Sequence, residues 1–300
     1  MHAARYHRYG APDVLVVEEA PEPHAGPGAV RIAVRAVSVN PIDVLLRAGR
    51  LESVLPLELP AIPGRDAVGV VDEVGAGVEG TRVGDLVFGL GGVSDTTAEF
   101  AVLTAWSGVP GGWSTEQAAA AGLASATAAA ALEDLGDLAG RTVLVEGVSG
   151  GVGSAVAALA LAAGATVVGT ASQAHHDALT ALGIRVTTYG EGLADRVAAL
   201  APDGVDVAVH AAPSASLPDL VAIVGDATRV VTVVDTAGAA RLGARSVNAR
   251  NDSALLEQLA QLGRRGAYTP RVAHVLPLAS VAEAHALAEG GTGKVVVTVP

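Results

Sequence analysis

Gly147, Gly150, Gly151 and Gly153 stand between the apolar run Val143–Val145 and the alanine-rich segment Ser154–Ala163, and this pattern points most directly to chemistry. Glycine at such positions permits a tight turn, lets a pyrophosphate approach the backbone, and lets a helix pack closely on the strand before it. The spacing is looser than the strict dinucleotide fingerprint, and glycine also serves ordinary turns in a chain that holds 37 of them. The flanking segments decide between these readings. Val143–Val145 reads as a parallel strand covered on both faces. Ser154–Ala163 reads as a helix whose first amides would face phosphate oxygens, and Thr166–Gly169 as a second strand that closes a βαβ unit.

The end of that second strand bears on which nucleotide is held. A carboxylate about 20 residues after the glycine turn would hydrogen-bond the adenosine ribose of NAD and would repel the 2′-phosphate of NADP. Here the chain reads Thr170, Ala171, Ser172, then His175 and His176, with no acid before Asp177. A hydroxyl and protonatable imidazoles suit a phosphate, so NADP(H) is the expected cofactor. The other reading makes Ser172 a helix cap and leaves the histidines solvated.

Composition narrows the class. The chain has no cysteine, which excludes disulfides, thiolate nucleophiles and Cys-ligated zinc. Its net charge is −12 with a single lysine, Lys294, so neither a nucleic acid nor an anionic membrane is the expected partner. No apolar run is long enough to span a bilayer, and the start MHAARYHRYGAPD lacks a signal-peptide core, which predicts a cytoplasmic protein acting on a small molecule.

Residues 1–115 carry short β-branched segments at Val14–Glu18, Ala29–Val37, Ala67–Val74 and Arg82–Phe88, separated by Pro and Gly turns, and read as a β-rich, barrel-like unit. From Ser114 a capping-box spacing with Gln117 opens a long alanine-rich helix. After Ser172, helices alternate with strands at Arg185–Tyr189, Val205–Val209 and Arg229–Val234, the signature of a doubly wound parallel sheet. A helix over Ser253–Arg264 closes this part, and Arg271–Pro277, Val281–Glu289 and Lys294–Val299 return to strand and turn character.

Taken together, AVSVNPIDVLLRAG at 36–49, LPAIPGRDAVGVVDEVGAGVEGTRVGDLVFGL at 59–90, AEFAVL at 98–103, the glycine turn, and VLPLASVAEAHALAEGGTGKVVVTV at 275–299 resemble the medium-chain dehydrogenase/reductase superfamily, in its zinc-free quinone oxidoreductase branch. The resemblance implies an α/β chain of two domains, a GroES-like β-rich catalytic domain over 1–118 and 266–300 and a Rossmann NADP-binding domain over 119–265. It implies that Asn40 lies beside the nicotinamide and substrate, with Asp43 as a near-site partner and Thr127 touching the cofactor. It also implies that Gly150, Gly151 and Val152 contact the pyrophosphate, with Gly147 and Ser149 among the cofactor-binding residues, and that Ser172 and Tyr189, with His175 and His176, hold the 2′-phosphate. His210, Val233 and Val234 fall at strand ends, where ligands of open α/β sheets bind. Asn40 also reads as a turn residue before Pro41, and Tyr189 as a core aromatic with a surface hydroxyl.

Zinc-dependent members place a cysteine ligand where this chain has Asn40 and a histidine where it has Arg65. A metal-free site suits hydride delivery to a carbon that is already electrophilic, which implies an NADPH-dependent reductase of quinones or α,β-unsaturated carbonyls. An enoyl or tailoring reductase of a biosynthetic pathway and a non-catalytic NADPH-binding sensor are the alternatives. Leu45 replaces a common family tyrosine and so removes a proton donor, and Glu146 directly before the phosphate turn is unexpected. A homodimer is implied, joined through sheet edges at Arg229–Val234 or Arg245–Ala249.

Overall fold

The computed structural model describes all 300 residues, which divide into two compact units, residues 1–123 with 251–300 and residues 124–250. In the first unit, β1 (His2–Arg5) and β2 (Val16–Glu19) form an antiparallel pair. The strand expected from Val14 starts two residues later, because Pro12–Val14 wind into a 3-10 turn with Pro12 at its first position. β3 (Val30–Val39) leads into the short helix α1 (Pro41–Arg47), followed by β4 (Asp66–Val74), β5 (Leu86–Leu90), β6 (Phe100–Leu103) and β7 (Ala105–Gly108). The strand expected from Arg82 is delayed to Leu86: the Arg82 amide donates to Asp85 Oδ2 at 2.9 Å and Gly84 takes a φ of +97°, a turn no strand continues through. Helix α2 (Thr115–Leu135) opens with the expected capping box, in which Ser114 N donates to Gln117 Oε1 at 2.8 Å and Gln117 N to Ser114 Oγ at 3.2 Å.

The second unit alternates strand and helix: β8 (Thr142–Glu146), α3 (Gly151–Ala162), β9 (Thr166–Thr170), α4 (His176–Ala181), β10 (Arg185–Thr187), α5 (Leu193–Leu200), β11 (Val207–His210), α6 (Leu217–Val224), β12 (Val230–Thr232), α7 (Thr236–Leu242) and β13 (Arg245–Ser246). Its strands are all parallel in the order β10-β9-β8-β11-β12-β13. The order reverses between β8 and β11, the crossover at which open α/β sheets bind ligands. The continuous apolar runs of β8, β9 and β11 follow from helices covering both faces. Arg229–Val234 is not a sheet edge, because β12 is paired on both sides, to β11 and β13; the free edge there is β13.

The chain then returns to the first unit through α8 (Ser253–Arg264), β14 (His274–Pro277), α9 (Val281–Glu289) and β15 (Val295–Thr298). β15 runs antiparallel to β3 and parallel to β14 inside the seven-stranded sheet. The sequence-based boundary near 265 lies past α8, which packs in the first unit: Ser107 Oγ donates to Glu257 Oε2 at 2.7 Å, and Gly263 approaches the Trp113 ring so closely that an added Cβ would lie 2.7 Å from it. An amphipathic helix goes where its apolar face is covered, and Leu255, Leu256 and Leu259 are fully buried here.

Candidate functional site

The second unit holds a nucleotide cradle. Gly147 turns the chain with a φ of +75°, and Gly153 brings α3 onto that turn: a Cβ on Gly153 would lie 2.2 Å from the Gly147 carbonyl oxygen. Thr170 fastens the turn from the neighbouring strand, its Oγ1 accepting from Gly147 N at 3.2 Å and its carbonyl from Val148 N at 3.0 Å. α3 begins at Gly151, three residues before the expected Ser154, with Gly150 at its N-cap and no side-chain cap on its first amides. Those amides therefore stand open to an anion at the positive end of the helix. Ala124, one turn before the buried Thr127 on α2, lies 3.6 Å from where a Gly151 Cβ would sit. The cradle fits a dinucleotide pyrophosphate.

The residues expected around the 2′-phosphate stand at the paired ends of β9 and β10. The exposed Ser172 precedes a 3-10 turn without capping it, so its hydroxyl is not engaged as a cap. His175 is exposed, whereas His176 Nε2 donates to the Ala171 carbonyl at 3.2 Å. Tyr189 is exposed rather than a core aromatic. Its loop is fastened by Arg196, whose guanidinium donates to the carbonyls of Thr188 at 3.1 Å, Tyr189 at 3.3 Å, Gly190 at 3.2 Å and Glu191 at 2.6 Å.

Glu146 finds its explanation in the sheet register. Thr170, Glu146, His210 and Thr232 are paired in one row across β9, β8, β11 and β12, the last row before the strands end. Thr232 Oγ1 already accepts from Val234 N at 3.2 Å and Asp235 N at 3.0 Å, so its proton goes to His210 Nδ1 at 2.9 Å. That leaves the His210 proton on Nε2, facing Glu146 Oε2 and Ser214 Oγ, each at 3.3 Å. Ser214 Oγ in turn donates to Glu146 Oε1 at 2.6 Å. Burial holds His210 below the ordinary imidazole range although Glu146 pulls the other way. The His210 side chain is thus spent inside the sheet, tying the loop after β11 to the strand before the glycine turn. Val233 and Val234 follow this row, half-buried and exposed respectively.

The first unit gathers a second polar group. The β3–β15 pairing sets Val39 opposite Val295, so the next residues, Asn40 and Lys294, face each other, and Lys294 Nζ donates to Asn40 Oδ1 at 2.5 Å. The β3–β4 pairing likewise delivers Ser38 to Asp66, whose Oδ1 accepts from Ser38 Oγ at 2.7 Å and Asn40 Nδ2 at 3.0 Å. Asp66 Oδ2 takes the Leu123 amide at 2.8 Å. Asp43, in the first turn of α1, accepts from Asn40 N at 2.7 Å through Oδ2, while its buried Oδ1 has no hydrogen-bond partner. Burial, reinforced by the Asp66 carboxylate, pushes the Asp43 carboxyl up to about 7. Burial also lowers the Lys294 ammonium, which the two carboxylates pull back up. Asp66 and Lys294 escaped the sequence reading, although the one lysine of the chain was a visible signal.

A zinc ion does not fit this group. No thiolate or imidazole is present in it, the Asn40 oxygen is taken by an ammonium, and an Arg65 guanidinium sits where a histidine ligand would be needed. No cluster of three or more His, Cys, Asp or Glu side chains is arranged to hold a metal. Nor is any helix long and apolar enough to cross a membrane.

The family described as alcohol dehydrogenase GroES-like domain matches residues 26–127, and that described as zinc-binding dehydrogenase matches 185–297. The quinone oxidoreductase of Rattus norvegicus is 32% identical over 313 residues, covering 95% of this chain and 93% of that protein. The chain belongs to the quinone oxidoreductase branch of the medium-chain dehydrogenase/reductases. The chain is also 43% identical over 180 residues to erythronolide synthase EryA2 of Saccharopolyspora erythraea, a match spanning 58% of this chain and only 5% of that synthase. Among solved structures, a mycobacterial protein complexed with NADPH superposes with a TM-score of 0.79 at 27% identity, covering 99% of this chain and 100% of that one.

Proposed function

We propose that this oxidoreductase uses NADPH, without a metal, to reduce the conjugated carbon–carbon or carbonyl system of a quinone or an α,β-unsaturated carbonyl compound. One observation carries the reading: Asn40, Asp43, Asp66 and Lys294 form a linked group that combines a cationic donor with a carboxyl titrating near neutrality. Bound NADPH supplies the hydride. The Gly147–Val152 turn and the open amides of α3 hold its pyrophosphate, and the row Glu146–His210–Thr232 fixes the strand ends beside that turn. Lys294 offers positive charge and a proton to the oxygen on which negative charge develops, the part a tyrosine at Leu45 would otherwise share. Asn40 orients the ammonium, Asp66 offsets its charge, and Asp43 can carry its own proton beside them.

The test follows nicotinamide absorbance with NADPH and NADH against a panel of quinones and enones, with a chelator present throughout. Chelator-insensitive oxidation that prefers NADPH is the expected result. Tight NADPH binding with no oxidation by any acceptor would overturn the reading in favour of a sensor.

Ser172 and the Tyr189 loop are assigned to the 2′-phosphate. Arg196→Met frees that loop, and the loss of its charge-assisted hydrogen bonds is expected to raise the KM for NADPH about tenfold while the KM for NADH stays within about twofold. Equal changes for both cofactors would remove the assignment.

The identity to EryA2 supports a second reading, an enoyl thioester as the acceptor. A crotonyl thioester included in the same panel separates the two. Higher kcat/KM on the thioester than on every quinone would select it.

A further inference from the structure

The six-stranded sheet has a second polar site at its other pole, beside the N-terminal ends of its strands. Arg141 precedes β8, Thr228 and Arg229 precede β12, and Arg245 opens β13, so the strand order gathers three arginines at one end. With Asp226 they line a cavity of ≈ 360 Å³. The length of β8 separates this pole from the glycine turn by roughly 15 Å.

Each guanidinium is only partly used by the protein. Arg141 donates through Nη1 to the carbonyls of Leu135 at 3.2 Å and Asp137 at 3.0 Å, and Arg245 through Nη1 to Asp134 at the end of α2. Arg229 faces Asp226 through Nε at 3.3 Å. Nη2 of Arg141 and Arg245 and both Nη groups of Arg229 have no acceptor in the protein. Asp226 is occupied by its own turn, its Oδ1 accepting from Thr228 N at 2.9 Å and Thr228 Oγ1 at 2.7 Å. Those bonds, with Arg229 and Arg245 nearby, hold its carboxyl below the ordinary range. With the Asp134 carboxylate that pairs with Arg245 Nη1 at 3.4 Å, two carboxylates stand against three guanidinium groups, so the site keeps one net positive charge in a chain whose net charge is −12. Capping the carbonyls of α2 accounts for one nitrogen of Arg141 and one of Arg245, and for none of Arg229.

We propose that this arginine cavity binds a phosphate group, free or as a phosphomonoester, at a site separate from the nucleotide cradle. A net positive charge and several unshared guanidinium N–H groups match a tetrahedral oxyanion. The proposal stands whether or not the chain reduces quinones.

The test titrates inorganic phosphate, and separately glycerol 3-phosphate, into NADPH-saturated protein at constant ionic strength, read by calorimetry. Saturable binding of either is expected, and binding of the ester alone would identify a phosphomonoester site. Arg229→Gln with Arg245→Gln is expected to weaken binding at least about tenfold while the Kd for NADPH stays within twofold. Phosphorus line broadening with the wild-type protein gives the same answer should the double variant fold poorly. No saturable binding, unchanged binding in the double variant, or competition between phosphate and NADPH would each overturn the proposal.

Discussion

Gly153→Ala is expected to weaken NADPH binding by at least about a hundredfold and to lower stability by about 1–3 kcal/mol. The reason is backbone on backbone. A Cβ at 153 would lie 2.2 Å from the Gly147 oxygen and 2.9 Å from Val148 Cα, and neither atom can swing aside as a side chain would. Relief requires α3 to move off the turn, which pulls its first amides away from the pyrophosphate they are proposed to hold. Gly151 supplies the internal control. Its Cβ would meet only Ala124 Cβ, at 3.6 Å, an ordinary contact, so Gly151→Ala is expected to fold with wild-type stability within about 1 kcal/mol. Thermal melts establish folding, and nicotinamide fluorescence titrations then give the affinities. Wild-type affinity in Gly153→Ala would mean that the turn does not carry the cofactor.

The contrast between the two units explains what could be read without coordinates. The nucleotide cradle is local: strand, turn, helix and second strand lie within about thirty consecutive residues, and each leaves its own periodicity. The Asn40 group is not local. Lys294 reaches Asn40 because β15 pairs antiparallel with β3 in one particular register, and Asp66 reaches Ser38 through the register of β4, so only strand pairing brings these residues together. The same holds for Glu146, which looked misplaced before a phosphate turn until pairing set it beside His210. Strand limits moved for a different reason. At Pro12–Val14 and Arg82–Asp85 the β-branched run overlaps a turn, and backbone geometry prevails over composition there. Helix α8 packs in the first unit, which its amphipathic pattern does not disclose, because such a pattern records that one face is covered and not by what.

Asp43→Asn should make the protein more stable above neutral pH and a poorer reductase, a combination that follows from one buried carboxyl. In the folded chain burial and Asp66 hold this group at about 7, against an ordinary value of 3.8. The folded state therefore keeps a proton that the unfolded state has released between those values. The stabilisation is complete below the ordinary value and is lost as pH rises through about 7, amounting to a swing of up to about 4 kcal/mol. Asparagine has no charge to bury and still accepts from the Asn40 amide, so at pH 8 the variant is expected to gain about 2–4 kcal/mol, measured by urea unfolding. His285 opposes this trend. Burial and the neighbouring Arg47 hold its imidazole down to about 3, so its contribution is complete above its ordinary value of 6.5 and is lost as pH falls. Wild-type stability between pH 4 and 6.5 is then the sum of two opposite slopes, and Asp43→Asn leaves only that of His285, on which stability rises with pH. In the same variant the kcat for an enone at pH 7 is expected to fall at least about tenfold and to lose its inflection near neutrality, because the group around Lys294 no longer exchanges a proton there. A merely structural Asp43 would change the unfolding curves and leave the shape of the kcat profile as it is in the wild type.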